Sequence, residues 1–263
     1  MPAVHRVRAT SPAAPYGFVW RAALALNALV AAVGLAIKFG GAATTADPHF
    51  PTVLGRVANE LCYFTIQSNL IVVAVCVALA WRPERLQWIA GAPRLIALVC
   101  ITVTGIVYYA LLASDEHFVG IAKVGDVLAH TVSPVLYVGT WLLLGPRGQL
   151  QRRHISQMLA FPMLWIALTM VRGAIIHVYP YDFVDVGVNG YFSVIVTIVG
   201  LTAAAAALAA AAVWFDLSRS LDRAVRPLPA TLRGGQHLVG GGLQVGDERV
   251  DLAVVDSAYR AMQ

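Results

Sequence analysis

Six polar residues fall inside apolar stretches of this 263-residue chain: Thr65, Ser68 and Asn69, then Asp126 and His130, then Arg172. Burying such groups in hydrocarbon is costly, so several of them at one depth point to a site. A Thr hydroxyl becomes a nucleophile when a neighbouring base takes its proton, and a neutral His is the usual base near neutral pH. Asp126 precedes His130 by one helical turn and can orient or polarise the imidazole. Arg172, Asn69 or Ser68 can stabilise an oxyanion, because a donor in a dry site is worth more than in water. Together they have the makings of an acyl-transfer site for a lipid ester.

The elements that must position these residues are membrane helices. The chain is 59% hydrophobic and 13% charged, with a mean hydropathy of +0.70, far more apolar than an average soluble domain. A bilayer core needs about 20 apolar residues per crossing. Six stretches qualify, approximately Phe18 to Phe39, Leu61 to Trp81, Pro93 to Ala113, Val124 to Gly145, Ile155 to Val178 and Gly190 to Phe215. Breakers and charges separate them, such as Gly40-Gly41, Arg82-Pro83-Glu84-Arg85 and Gly145-Pro146-Arg147-Gly148. The expected fold is an all-α polytopic bundle of six transmembrane helices spanning 18–215, after a cytoplasmic segment 1–17 and before a cytoplasmic tail 216–263.

Helical periodicity gathers the polar groups into stripes. The second span aligns Thr65, Ser68 and Asn69. The fourth aligns Lys123, Asp126, His130, Ser133, Pro134, Tyr137 and Trp141; the fifth Trp165, Thr169, Arg172, Ile176 and Tyr179; the sixth Asn189, Ser193, Thr197 and Gly200. Facing lipid would leave such groups unpaired, so the stripes are expected to turn inward. Counted from one membrane surface, Thr65, His130 and Arg172 all lie roughly 6 to 9 Å deep at 1.5 Å per residue. The separation of Thr65 from His130 stays open by about one helix diameter, roughly 10 Å.

Orientation follows from the basic residues. Fifteen of the 19 Lys and Arg fall on one side, from Arg6 and Arg8 through the second and fourth loops to Arg219 and beyond. Positive loops stay cytoplasmic, which puts both termini inside and the polar depth in the outer leaflet of a cell membrane. The basic charge is then a topology and lipid-headgroup signal, and no basic and aromatic interleaving points to nucleic acid. The first span is read as retained rather than as a cleaved signal, since its apolar run is long and carries Asn27 and Lys38. Cys62, Cys76 and Cys100 read as apolar packing residues in helices. The Arg-rich and Gly-rich tail reads as disordered or as one small surface element.

Each residue also has an ordinary structural role. A Thr in a membrane helix usually bonds its own i−4 carbonyl, and Ser, Asn and His often bridge helices. Asp126 and Arg172 suit a structural ion pair. Tyr108, Tyr109, Tyr179 and Tyr181 read as an interfacial aromatic belt, and Pro134 and Pro162 as helix kinks. Asp115, Glu116 and His117 read as a solvated charge run rather than a metal site. A haem between His130 and His177 has no motif behind it, so no cofactor and no metal are expected.

Three segments carry a resemblance: Cys62-Tyr63-Phe64-Thr65-Ile66-Gln67-Ser68-Asn69, Ala129-His130-Thr131-Val132-Ser133-Pro134, and Val171-Arg172-Gly173 through Tyr179-Pro180-Tyr181-Asp182-Phe183-Val184-Asp185-Val186. They resemble a bacterial family of six-helix integral membrane proteins. More distantly, the arrangement is similar to the androgen-induced hydrolases of fatty acid esters of hydroxy fatty acids. That resemblance implies a catalytic pair at Thr65 and His130, a lipid-ester hydrolase activity and membrane lipids as partners. The alternative is a non-catalytic membrane protein, either a small-solute or proton carrier using Asp126, His130 and Arg172 or a structural partner of a larger complex. The sequence names no protein partner.

Overall fold

The computed structural model describes residues 17–81, 91–114 and 118–225, with three short strands between 236 and 251. Its larger unit, ending at Arg219, is all-α. Helix α1 spans Phe18–Thr44, α2 Val53–Glu60 and α3 Phe64–Trp81. Helix α4 runs from Ala92 to Leu112, α5 from Gly120 to Leu144, α6 from Arg153 to Ile176, and α7 from Val186 to Val225. All but α2 are long and apolar enough to cross a membrane. Large apolar side chains such as Leu143 and Phe192 are more than four-fifths exposed, as suits a surface solvated by lipid.

Sequence expectation and structure agree on the spans to within a few residues at most ends, with three differences. The loop after α1 contains the short helix α2, too brief and too polar to register as a span. Its start is fixed by Thr52, whose Oγ1 accepts the Gly55 N–H at 3.0 Å. Cys62 lies in the turn between α2 and α3 rather than inside a helix. Helix α7 continues ten residues beyond Phe215, to Val225, because polar residues extend a helix out of the bilayer without adding to its hydropathy.

Interhelical contact is close where small residues meet large ones. α1 packs on α3 and α5, and α4 packs on α3, α5 and α6. The core joins Trp20 and Leu24 of α1, Val72 and Leu79 of α3, Leu98 and Ile101 of α4, Trp141 of α5, Met158 of α6, and Ala205, Ala209 and Ala212 of α7. Ala205, Ala209 and Ala212 of α7 are buried in this core, small residues of the kind that membrane helix contacts favour. The expected stripe of Asn189, Ser193, Thr197 and Gly200 is not this inward face, since all but Thr197 are exposed. Gly190 (φ 72°, ψ 158°) interrupts the helix there with a conformation that favours glycine, which takes Asn189 out of phase with the other three.

Two features, one polar and one steric, shape the end of the bundle that holds the site. Arg56 on α2 donates to the carbonyls of Ala42 (2.8 Å) and Ala43 (2.9 Å), and to Pro51 O (3.1 Å). One guanidinium thus satisfies the free carbonyls at the α1 C-terminus and ties the loop to α2. At the α6 C-terminus, Gly173 lies against the Tyr179 ring so closely that a Cβ would land on it. Gly173→Ala is expected to displace the segment from Tyr179 to Tyr181 and destabilise the protein by about 1 to 3 kcal/mol. A lowered thermal midpoint in detergent checks this.

The second unit, residues 220–263, contains a three-stranded antiparallel meander, Gln236–Val239, Gly242–Val245 and Glu248–Asp251.

Candidate active site

Thr65 is the second residue of α3, and this position frees its hydroxyl. The usual i−4 acceptor, Leu61 O, lies outside the helix and instead accepts the Gln67 amide at 2.8 Å. Thr65 Oγ1 therefore turns inward, 3.1 Å from His130 Nε2 and 3.3 Å from the Tyr181 hydroxyl. The Thr65 backbone N–H is one of the donors that a helix start leaves without an intrahelical acceptor. It donates to Tyr181 Oη at 3.2 Å.

His130 reaches Thr65 from a π-helical turn, Leu128–Val132, in the middle of α5. Pro134 follows, and its missing N–H and its ring prevent a regular α turn back to the His130 carbonyl. The wider turn accommodates that lost bond, as such bulges often do at functional positions. A second π turn, Tyr108–Leu112, ends α4. The two are linked by a 2.6 Å hydrogen bond between the Tyr109 and Thr131 hydroxyls. Across this junction the Tyr108 ring stacks on His130, with centroids 4.1 Å apart and planes 12° from parallel.

Asp126 completes the chain. Its Oδ1 lies 2.9 Å from His130 Nδ1, while Oδ2 accepts from the Tyr108 hydroxyl at 2.6 Å and from Lys123 Nζ at 3.1 Å. Asp126, His130 and Thr65 are all buried. A carboxylate beside Nδ1 calls for a proton on that nitrogen, which leaves the Nε2 lone pair facing Thr65 Oγ1. This is the connectivity of a nucleophile, base and orienting acid.

The other expected contributors do different work. Ser68 donates to Phe64 O at 2.7 Å, the ordinary i−4 bond, and accepts from Thr104 at 3.1 Å. Asn69 donates to Thr65 O at 2.9 Å and to Ala129 O at 3.2 Å, bracing α3 against the His130 turn. Arg172 forms no ion pair with Asp126. It donates to Asn59 Oδ1 at 2.6 Å and Val178 O at 3.2 Å and lies over the Phe50 ring. Its helix stripe pointed the right way, but the loop carbonyls and α2 intercept the side chain. His177 is exposed in a left-handed cap position (φ 56°), and both ring nitrogens of His130 are engaged, an arrangement unlike paired haem ligands. Asp115, Glu116 and His117 lie outside the described residues. Among the described residues no group of three or more His, Cys, Asp or Glu is arranged to hold a metal.

Tyr108 and Tyr181 are the residues that sequence reasoning missed, having assigned them to an aromatic belt. Tyr108 is buried. Tyr181, in the loop between α6 and α7, is stacked on Phe183 with centroids 5.1 Å apart and edge-on to Tyr63 at 5.5 Å. Burial raises its phenol pKa above the ordinary value, against the opposing hydrogen bonds from Thr65. The one available signal was the Tyr179-Pro180-Tyr181-Asp182 segment itself, whose aromatic density exceeds what a loop needs.

Two cavities meet at Thr65 and Tyr181. One is a narrow apolar slot with about 60 Å³ of open space, running between α3, α4, α6 and α7 past Val103, Val107, Pro162 and Leu201. The other is a polar vestibule of about 1450 Å³, including its mouth, bordered by Lys38, Glu60, His130 and Asn189. Burial raises the Glu60 pKa above the usual carboxylate value, with Lys38 opposing. No family model matches the chain, and no curated protein or solved structure is significantly similar to it.

Proposed function

We propose that this protein is a membrane-embedded, threonine-dependent hydrolase of lipid esters. The observation that carries the reading is the buried relay Thr65 Oγ1 to His130 Nε2, and His130 Nδ1 to Asp126 Oδ1. Support also comes from the two cavities at Thr65, one narrow and apolar and the other roomier and polar. The distant resemblance in arrangement to the androgen-induced ester hydrolases, a Thr on the second span and a His on the fourth, points the same way. With both termini cytoplasmic, as the basic residues suggest, lipid would enter from the outer leaflet of the cell membrane.

In the reaction, His130 Nε2 takes the Thr65 proton as Oγ1 bonds to the ester carbonyl carbon. The tetrahedral adduct collapses, its carbon–oxygen bond to the alcohol breaks, and His130 returns the proton to the departing alkoxide. Water from the vestibule then loses a proton to His130 and attacks the acyl-Thr65. The fatty acid leaves, and Thr65 Oγ1 recovers its proton. Asp126 holds the ring in the required tautomer and stabilises the imidazolium in both half-reactions.

Purified protein should be labelled covalently by a fluorophosphonate probe, Thr65→Ser should retain labelling, and Thr65→Ala should lose it together with ester turnover. Equal labelling of wild type and Thr65→Ala would overturn the mechanism. The cluster of Lys123, Asp126 and His130 also suits a proton-coupled carrier. Uptake into proteoliposomes driven by a pH gradient and lost in Asp126→Asn, with no lipid turnover, would favour that reading.

A further inference from the structure

An ester attacked at Thr65 develops a negative oxygen two bonds from Oγ1, and a donor must meet it there. Ser68 and Asn69 have their donors committed to Phe64 and to Thr65 and Ala129, and Arg172, turned to Asn59 and Val178, borders neither cavity at Thr65. Among the described residues, the side chains hydrogen-bonded to Thr65 Oγ1 are His130, which acts as the base, and Tyr181. We propose that Tyr181 is a catalytic residue of this site, its phenol O–H the donor that stabilises the oxyanion. This rests on the hydrolase reading and adds a residue to it.

The local geometry prepares the phenol for the task. Its oxygen accepts the Thr65 N–H at 3.2 Å, which pins it to the first turn of α3. That leaves its single proton to be donated, toward Oγ1 at rest and toward the carbonyl oxygen once an ester occupies the site. An N–H at a helix start polarises the phenol it donates to, and so strengthens the outgoing O–H bond. The ring is fixed by Phe183, Tyr63 and Trp165, so little reorganisation accompanies charge development. Tyr181 also borders both cavities, as Thr65 does.

Tyr181→Phe removes the proton and keeps the ring packing. With a p-nitrophenyl fatty-acyl ester in detergent micelles, kcat should fall by about 10²-fold while KM and the thermal midpoint stay near wild type. The rate of fluorophosphonate labelling should fall with kcat, because the phosphoryl oxygen draws on the same donor. If Thr65→Ala is inactive and Tyr181→Phe keeps kcat within threefold of wild type, the Tyr181 role is wrong and the hydrolase reading stands. If Thr65→Ala is fully active, both fall together. Should Tyr181→Phe fold poorly, a difluorotyrosine placed at position 181 decides the matter. Its more acidic phenol loses the donated proton sooner, so the alkaline loss of kcat should move to lower pH. A profile identical to wild type would overturn the proposal.

Discussion

His130→Gln will lower ester turnover by about 10⁴-fold or more, with KM little changed, because a base that acts in the transition state contributes to kcat rather than to ground-state binding. Glutamine is neutral, and its amide can approach Thr65 Oγ1, but it cannot take up and return a proton. The variant should still fold. Asp126 keeps Tyr108 and Lys123 as partners, and the main structural losses are the stack under Tyr108 and the bond at Nδ1. Losing that bond corresponds to about 1 to 3 kcal/mol, seen as a modest drop in thermal midpoint. Turnover and midpoint measured on the same detergent preparation separate the two effects. More than a tenth of wild-type kcat in a well-folded His130→Gln protein would remove His130 as the base.

The six apolar helices and the polar faces of α3 and α5 were legible in the sequence because hydropathy and the helical period register strongly over 20 residues. Asp126, His130, Ser133, Pro134 and Tyr137 do share a buried face. Contact between Thr65 and His130 was not legible. It depends on the π turn of α5, which shifts the ring relative to a regular helix, and on α3 beginning at Phe64, which denies Thr65 its i−4 acceptor. Both are consequences of tertiary packing and of the neighbouring Pro134, and no period in the sequence reports them. Tyr181 was hidden for a different reason. A Tyr near a membrane surface is so often an interfacial anchor that its type carries little information, and only the fold of the loop after α6 brings it onto Thr65. Arg172 illustrates the converse, since a side chain this long is captured by whichever carbonyls the loop presents first.

Asp126→Asn should also lose about 10⁴-fold in kcat, and the hydrogen-bond pattern around Asp126 gives the reason. Tyr108 and Lys123 both donate to Oδ2, so an amide at this position must present its carbonyl oxygen to them. Its NH₂ group then faces His130 Nδ1 and donates to it. That fixes the imidazole proton on Nε2, the nitrogen that must accept from Thr65, and the site is left with the wrong tautomer in an otherwise intact frame. Nitrogen NMR of labelled histidine should report protonated Nδ1 in wild type and protonated Nε2 in the variant. Adding Tyr108→Phe removes the stronger constraint on the amide, so the double variant should recover part of the lost turnover as the amide turns its oxygen toward Nδ1. Lys123, half-exposed and flexible, can find water when the amide turns. Asp126→Asn within tenfold of wild type, or a His130 tautomer unchanged by the substitution, would assign the carboxylate to ion pairing with Lys123 rather than to orienting the base.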